Sequence, residues 1–133
     1  MTGNEATPPP GDLLLQAVEG MARPLAVLDE EWRIRYINEA GAGALGHRAD
    51  ELIGRDVWDT FPEAVAGPFE RLYREVRETG IPASTEAWYG PLSSWFRADA
   101  FLTSAGLVIT FDDVTARHRA EEERAAAVAA REA

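Results

Sequence analysis

Apolar side chains first recur at helical spacing after a Pro-rich, polar stretch at the start of the chain, residues 1–11. Pro24 disfavours helical geometry at the residue before it and so sets an end to this first helical pattern. We predict a flexible lead-in over 1–11 and an N-terminal cap helix over 12–23. The apolar positions on one face of this helix are Leu14, Val18 and Met21.

The next segment predicts a strand hairpin followed by short helices. Residues 25–28 are apolar, and residues 32–37 alternate between apolar and charged side chains after a polar turn. Asn38 and Asp56 are residue types that cap helix N-termini, so a short helix is expected after each of them. Gly54 is expected to take a backbone conformation that a Cβ atom would disfavour.

A longer amphipathic helix then precedes a run of strands. Over residues 68–79, apolar side chains recur at i, i+3, i+4 and i+7, at Phe69, Leu72, Tyr73 and Val76. The period then changes to two, which predicts strands over 83–89, 94–103 and 107–114. The last of these is apolar on both faces, so we expect the N-terminal helix or a partner chain to cover its second face.

Residues 115–133 return to a helical pattern that is rich in Ala, Glu and Arg and contains no Gly or Pro. No stop signal ends this helix within the sequence, so we expect it to be a linker to an output domain. Its small-residue positions form only a thin seam, which leaves open whether it makes a coiled coil.

Composition narrows the possible functions. The chain has 133 residues, a length that fits one domain. Its net charge of −10 argues against nucleic-acid binding. No apolar run reaches the roughly 18 to 20 residues that span a bilayer, and no signal-peptide pattern is present, so a cytoplasmic location is expected. The chain contains no cysteine and no lysine, which excludes thiolate ligands, cysteine nucleophiles and lysine Schiff bases.

Three passages in the right order resemble a PAS domain over residues 13–120. The segments 36–38, 43–46 and 51–55 are similar to the family's Y-x-N … G … E-L-I-G-R stretch. Residues 88–99 resemble the final strand pair of a common bacterial subgroup, and 113–122 resemble the terminal D-I-T … E-E pattern. The resemblance implies an α+β fold in which short helices and one longer helix pack on one face of a five-stranded antiparallel sheet. It places the PAS core at 24–114.

The resemblance also implies functional sites. PAS domains often enclose a pocket between the long helix and the sheet. The candidate lining residues here are Trp58, Phe69, Tyr73, Trp88, Phe96, Ala98 and Ile109, which would suit an apolar or aromatic ligand. A filled core without a ligand remains the alternative. At the end of the last strand, Asp113, Thr115 and Arg117 are the candidate signal relay, with Thr115 capping the exit helix and Asp113 pairing with Arg117 or Arg119. An ordinary helix cap without a signalling role remains the alternative.

The sequence disfavours a dinucleotide site, a metal or haem site, and cysteine-dependent photochemistry. Residues 41–46 match G-x-G-x-x-G, but no long helix or second parallel strand follows, so packing of small residues is preferred to a dinucleotide site. His47 and His118 are both expected to be solvated, so no metal site is predicted and haem is disfavoured. Without cysteine, the thiol-dependent photochemistry of flavin and chromophore-linked PAS relatives is impossible.

The sequence therefore predicts a non-catalytic sensory and dimerisation module of a bacterial signalling protein, most similar to those of sensor histidine kinases. Ligand or partner state would pass through the last strand to the exit helix. A homodimer is expected through the N-terminal helix and the outer sheet face, with no nucleic-acid or membrane partner. The alternatives are a structural spacer without ligand, a PAS module of a phosphatase or diguanylate cyclase, or a small enzyme using His47.

Overall fold

The computed structural model describes residues 23–132, so the lead-in over 1–11 and the cap helix over 12–23 fall almost wholly outside the described residues. Five strands form a single sheet in which every neighbouring pair is antiparallel, with the order β2-β1-β5-β4-β3. The strands are β1 Leu25–Leu28, β2 Ile34–Ile37, β3 Ala83–Tyr89, β4 Ser94–Thr103 and β5 Gly106–Asp113. The α+β fold with a five-stranded antiparallel sheet is thus confirmed.

Five α-helices accompany the sheet within the described part of the chain. They are α1 Glu39–Ala44, α2 Ala49–Leu52, α3 Val57–Thr60, α4 Pro68–Thr79 and α5 Thr115–Glu132. One-turn 3₁₀ helices lie at Pro62–Ala64 and Gly90–Leu92. The predicted long helix has the predicted ends, because Pro68 suits the first helical position and Gly80 takes the left-handed conformation that closes it.

The core lies between the inner face of the sheet and helix α4. Alternation along β4 turns Phe96, Ala98 and Ala100 inward, where all three are buried. Helix α4 covers this face with Leu72 and Val76, which are also buried. The inner face of the sheet is therefore the side on which an enclosed ligand would lie.

Two predicted structural residues have their expected roles. The Asn38 carboxamide oxygen accepts from the amide of Gly41 at 2.7 Å, which caps α1, and from that of Leu25 at 3.0 Å. Gly54 has a φ of +89°, a conformation that favours glycine. Asn38 therefore joins the first helix to the start of β1, and Gly54 makes the turn after α2.

The G-x-G-x-x-G run is explained by packing. A Cβ atom added to Gly41 would lie 2.9 Å from Ile37 Cγ1 and 3.1 Å from the Leu25 carbonyl oxygen, whereas one added to Gly43 would meet nothing. The first glycine is needed because α1 approaches β1 closely. The strands around it are antiparallel, so the parallel βαβ unit that a dinucleotide site requires is not formed among residues 23–132.

Candidate functional site

A partly open cavity of about 90 Å³ lies between α4 and the inner face of the sheet. Of the predicted pocket residues, Phe69, Tyr73, Phe96, Ala98 and Ile109 line it. The other lining residues are Ala26, Leu28, Ile34, Ile37, Leu45, Val57, Phe61, Ala64, Tyr89 and Phe111. The lining therefore comes from all five strands, and its residues on β1 and β2 were not predicted from the sequence.

Two of the predicted pocket residues are elsewhere. Trp88 lies on the outer face of the sheet and is 49% exposed, because β3 turns its neighbours Ala87 and Tyr89 inward. Trp58 is absent from the cavity wall and packs between Trp32 and Tyr73, with ring centroids 5.4 and 5.7 Å away. Tyr89 lines the cavity where the sequence analysis had placed its neighbour Trp88. The period-two pattern contained the signal, since adjacent positions on a strand cannot both point into a cavity.

Within the described part of the chain, Tyr73 and Tyr89 are the residues that bring polar side-chain atoms to the cavity wall. Burial raises the pKa of Tyr73. Burial, followed by the nearby Glu63 carboxylate, raises the pKa of Tyr89. No charged side chain among residues 23–132 lines the cavity, so this lining suits a neutral occupant that offers at most one or two polar atoms.

The volume sets the size of any occupant. Drug-sized ligands occupy pockets of about 300 to 1,000 Å³, and an engineered cavity of about 150 Å³ in a well-studied lysozyme binds benzene. At about 90 Å³, this cavity has room for only a few non-hydrogen atoms. The apolar or aromatic ligand that the predicted lining suggested stays a prediction, and this volume restricts it to a small molecule.

The junction between the last strand and the exit helix forms a second candidate site. The Asp113 carboxylate accepts from the Thr115 amide at 2.9 Å, and hydrogen bonds from the Thr115 hydroxyl and amide lower the pKa of Asp113. The Thr115 hydroxyl oxygen accepts from the Trp95 amide at 2.9 Å, across to β4. The first turn of α5 is thus hydrogen-bonded to two adjacent strands, β4 and β5.

The detailed predictions for this junction are corrected. Of the two arginines expected to pair with Asp113, Arg117 instead donates to Glu86 on β3 and to Glu121 one turn along α5. The charge of the other, Arg119, helps to lower the pKa of Asp113. The Thr115 hydroxyl bonds to a neighbouring strand instead of capping its own helix. Arg117 therefore adds a third strand, β3, to the attachment of the exit helix.

His118 belongs to the same attachment, contrary to the prediction that it is solvated. Its ring lies parallel to that of Trp95, with centroids 4.0 Å apart and an interplanar angle of 4°. Its Nε2 is 2.9 Å from Glu86 Oε1. Hydrogen bonds from Arg117 and then from His118 hold the pKa of Glu86 below its usual value. Sequence reasoning missed this because Glu86 and His118 are 32 residues apart.

Outside this attachment, residues 23–132 offer no grouping of histidine and carboxylate side chains that could bind a metal ion. His47 is exposed, as predicted, with its ring edge-on to that of Phe61 at 5.9 Å. Across residues 23–132, no helix is both long and apolar enough to cross a bilayer.

Comparisons with known proteins agree with this geometry. The family described as "PAS fold" matches residues 18–119. A domain of an HTR-like protein from Haloarcula marismortui has a TM-score of 0.61 at 17% identity, covering 71% of this chain and 100% of that one. A sensory box sensor histidine kinase from Vibrio cholerae has a TM-score of 0.58 at 14% identity, covering 79% and 92%.

A third solved structure with a similar fold contains a bound small molecule. The PAS domain of a LuxR-family transcriptional regulator from Burkholderia thailandensis, in complex with ethanol, has a TM-score of 0.56 at 18% identity, covering 75% of this chain and 96% of that one. No curated protein gives a significant sequence match. The family match extends over most of the chain and includes the strand–helix junction, so the chain belongs to the PAS family, whose domains are generally non-catalytic sensory modules.

Proposed function

We propose that this chain is a cytoplasmic sensory and dimerisation module of a bacterial signalling protein, best matched to a sensor histidine kinase. Residues 24–114 form the sensory core, and 115–133 form the linker to the output domain. The main support for this proposal is the way α5 is attached to the sheet. Its first turn is bonded to β4 through Thr115 and to β3 through Arg117. A shift of these strands therefore changes the direction in which the exit helix leaves the domain.

The rest of the exit helix supports this role. From Arg119 to Glu132 every residue of α5 is exposed, and the bonds that join α5 to the sheet among residues 23–132 come from its first turn. A helix held at one end transmits a small movement of that end along its whole length, about 27 Å for 18 residues. The helix is thus suited to carry a change at the sheet to whatever follows it.

The cavity supplies a place where a signal can enter. It borders β4 through Phe96 and Ala98 and β5 through Ile109 and Phe111. Thr115 is bonded to both of these strands, through Trp95 on β4 and Asp113 on β5. The size and apolar wall of the cavity favour a small, neutral ligand, and a structurally similar PAS domain is described in complex with ethanol. We propose that such a ligand shifts β4 and β5 and thereby moves Thr115. Neither a cysteine-linked chromophore nor haem enters this scheme.

Filling the cavity from within tests the relay. Leucine in place of Ala98 adds three carbon atoms to the cavity wall and acts as a permanent occupant. We expect hydrogen exchange at the amides of residues 118–122 to change by about fivefold or more, the usual lower range of coupling between sites. Mass spectrometry or NMR of the exchanging protein measures this, with the amides of α4 as an internal control for global stability.

Two further variants make the outcome decisive. Ala98→Val adds less volume and should give a smaller change in the same direction. In a Thr115→Val background, which removes the oxygen that accepts from Trp95, the leucine should no longer affect α5. If Ala98→Leu leaves exchange in α5 unchanged, the relay is wrong and a structural spacer replaces it.

The outer face of the sheet is the surface we propose for homodimerisation, together with the N-terminal helix. Phe101 is 39% exposed at the middle of this face, beside Val108 on β5. We expect Phe101→Ser to raise the dimer dissociation constant about tenfold or more, because an aromatic side chain at an interface commonly contributes over 1 kcal/mol. Sedimentation across micromolar concentrations measures this constant. Val65→Ser, at a residue that is 46% exposed outside the sheet, is the control. A wild-type chain that stays monomeric contradicts the dimer.

The alternative of a structural spacer is supported by the size of the cavity. The small volume of the cavity, about 90 Å³, also fits a spacer module with a nearly filled core and no ligand. The same geometry serves a phosphatase or a diguanylate cyclase as well as a kinase, and the domain joined to α5 distinguishes them.

A further inference from the structure

The exit helix has an attachment to the sheet that differs in chemistry from the Asp113–Thr115 junction. Glu86 on β3, Trp95 on β4 and His118 on α5 meet in what we call the outer clasp. His118 is its central member, because one face of its ring lies on Trp95 while Nε2 contacts the Glu86 carboxylate. The His118 side chain is 20% exposed to solvent, so protons from solvent can reach it.

The charges around the clasp form a connected network over the outer face. Its ion pairs run from Arg23 through Asp99 and Arg97 to Glu86, and from Glu86 through Arg117 to Glu121. Among the described residues, this network contains four carboxylates and three guanidinium groups. The carboxylates are Glu86, Asp99, Asp112 and Glu121, and the guanidinium groups are those of Arg23, Arg97 and Arg117.

The network is therefore one positive charge short of balance when His118 is neutral, and balanced when His118 carries a proton. Protonation also strengthens both direct contacts of the ring. A charged imidazole makes a stronger hydrogen bond to a carboxylate than a neutral one does, and it gains a cation–π attraction to the indole beneath it. Histidine is the side chain that ordinarily changes charge between pH 5 and 8.

We propose that the outer clasp is a proton-sensitive attachment of the exit helix. It closes when His118 takes up a proton from solvent and loosens when His118 releases it. The inference deepens the proposed function, since it assumes that the orientation of α5 is the output of the domain. It adds an input, the local pH, that does not pass through the cavity.

The absence of native cysteine allows a direct measurement of helix orientation. Spin labels on Glu75→Cys in α4 and Ala126→Cys in α5, both exposed positions, report the distance between the sensory core and the exit helix. The doubly labelled protein is diluted with unlabelled chain so that distances between two copies do not contribute. Pulsed electron paramagnetic resonance then gives distance distributions at pH 5.5 and 8.5.

In the labelled wild-type background, the distribution should narrow at pH 5.5. We expect the ratio of attached to detached helix to rise by about two- to fivefold, the range of a partly exposed charge pair. His118→Gln keeps a hydrogen-bond donor but cannot gain the charge, and it should show no change with pH. His47→Gln removes the other histidine, which is exposed and contacts Phe61 instead of a member of the clasp, and should behave as the wild type does.

Each alternative outcome is informative. A wild-type distribution that is the same at both pH values overturns the clasp, and so does a pH response that survives in His118→Gln. Neither outcome affects the cavity-filling experiment, whose readout is hydrogen exchange at one fixed pH. The relay and the proton-sensitive clasp can therefore fail separately.

Discussion

Replacing Gly106 by alanine is expected to lower the free energy of unfolding by about 4 kcal/mol, a large part of the stability of a small domain. The reason is local and geometric. Gly106 begins β5 with a φ of +135°, and an added Cβ would overlap the Leu28 carbonyl oxygen and lie 3.3 Å from Val27 Cγ1. The unfavourable backbone conformation and the overlap each contribute about 1 to 3 kcal/mol.

The overlap is with backbone, which cannot move without disturbing the pairing of β1 with β5. Leu28 faces Leu107 in that pair, so the two strands would have to separate at this end. Urea denaturation followed by tryptophan fluorescence measures the loss. Gly43→Ala is the matched control, because a Cβ there meets nothing and alanine stabilises a helix by up to about 1 kcal/mol. A Gly106→Ala protein within about 1 kcal/mol of the wild type would contradict the packing described for this turn.

Replacing Asn38 by alanine is expected to cost about 3 kcal/mol. Its carboxamide oxygen accepts from the Leu25 and Gly41 amides, and its Nδ2 donates to the Arg23 carbonyl oxygen at 2.9 Å. The side chain is only 2% exposed, so water does not take over these bonds when it is removed. Loss of a helix cap costs about 1 kcal/mol, and each buried group left without a partner costs about 1 to 3 kcal/mol.

A second cap in the same chain separates these contributions. Asp56 accepts from the Trp58 and Asp59 amides at the start of α3, in a partly exposed position. Asp56→Ala should therefore cost only about 1 kcal/mol, measured in the same denaturation series. If Asn38→Ala costs no more than Asp56→Ala, the link that Asn38 makes between α1 and β1 contributes nothing beyond capping.

Much of the fold could be predicted because its signals are local. The change of period from 3.6 to two marks where α4 ends and the last three strands begin. Asn38, Asp56 and Gly54 mark the ends of the short helices through the hydrogen bonds and backbone angles of their own segments. Such preferences act within a few residues, and a single sequence contains all the information they need.

The candidate site was less predictable because it depends on contacts between distant segments. Which face of β3 is turned inward decides that Tyr89 lines the cavity and Trp88 does not. Arg117 or Arg119 was expected to pair with nearby Asp113, but the sheet places Glu86 within reach of Arg117 and the pair forms there. A long, flexible arginine side chain can choose among several carboxylates, and only the assembled sheet decides which is close enough.

The sequence by itself determined the secondary structure, the PAS resemblance and the exclusion of cysteine chemistry. The tertiary structure alone decided the volume of the cavity, which is the small difference between the space enclosed by the backbone and the summed volume of its side chains. It also decided the role of His118, since the first turn of α5 must lie against β3 and β4 before the ring can contact Trp95 and Glu86. Both depend on register and packing across the sheet, which no local pattern specifies.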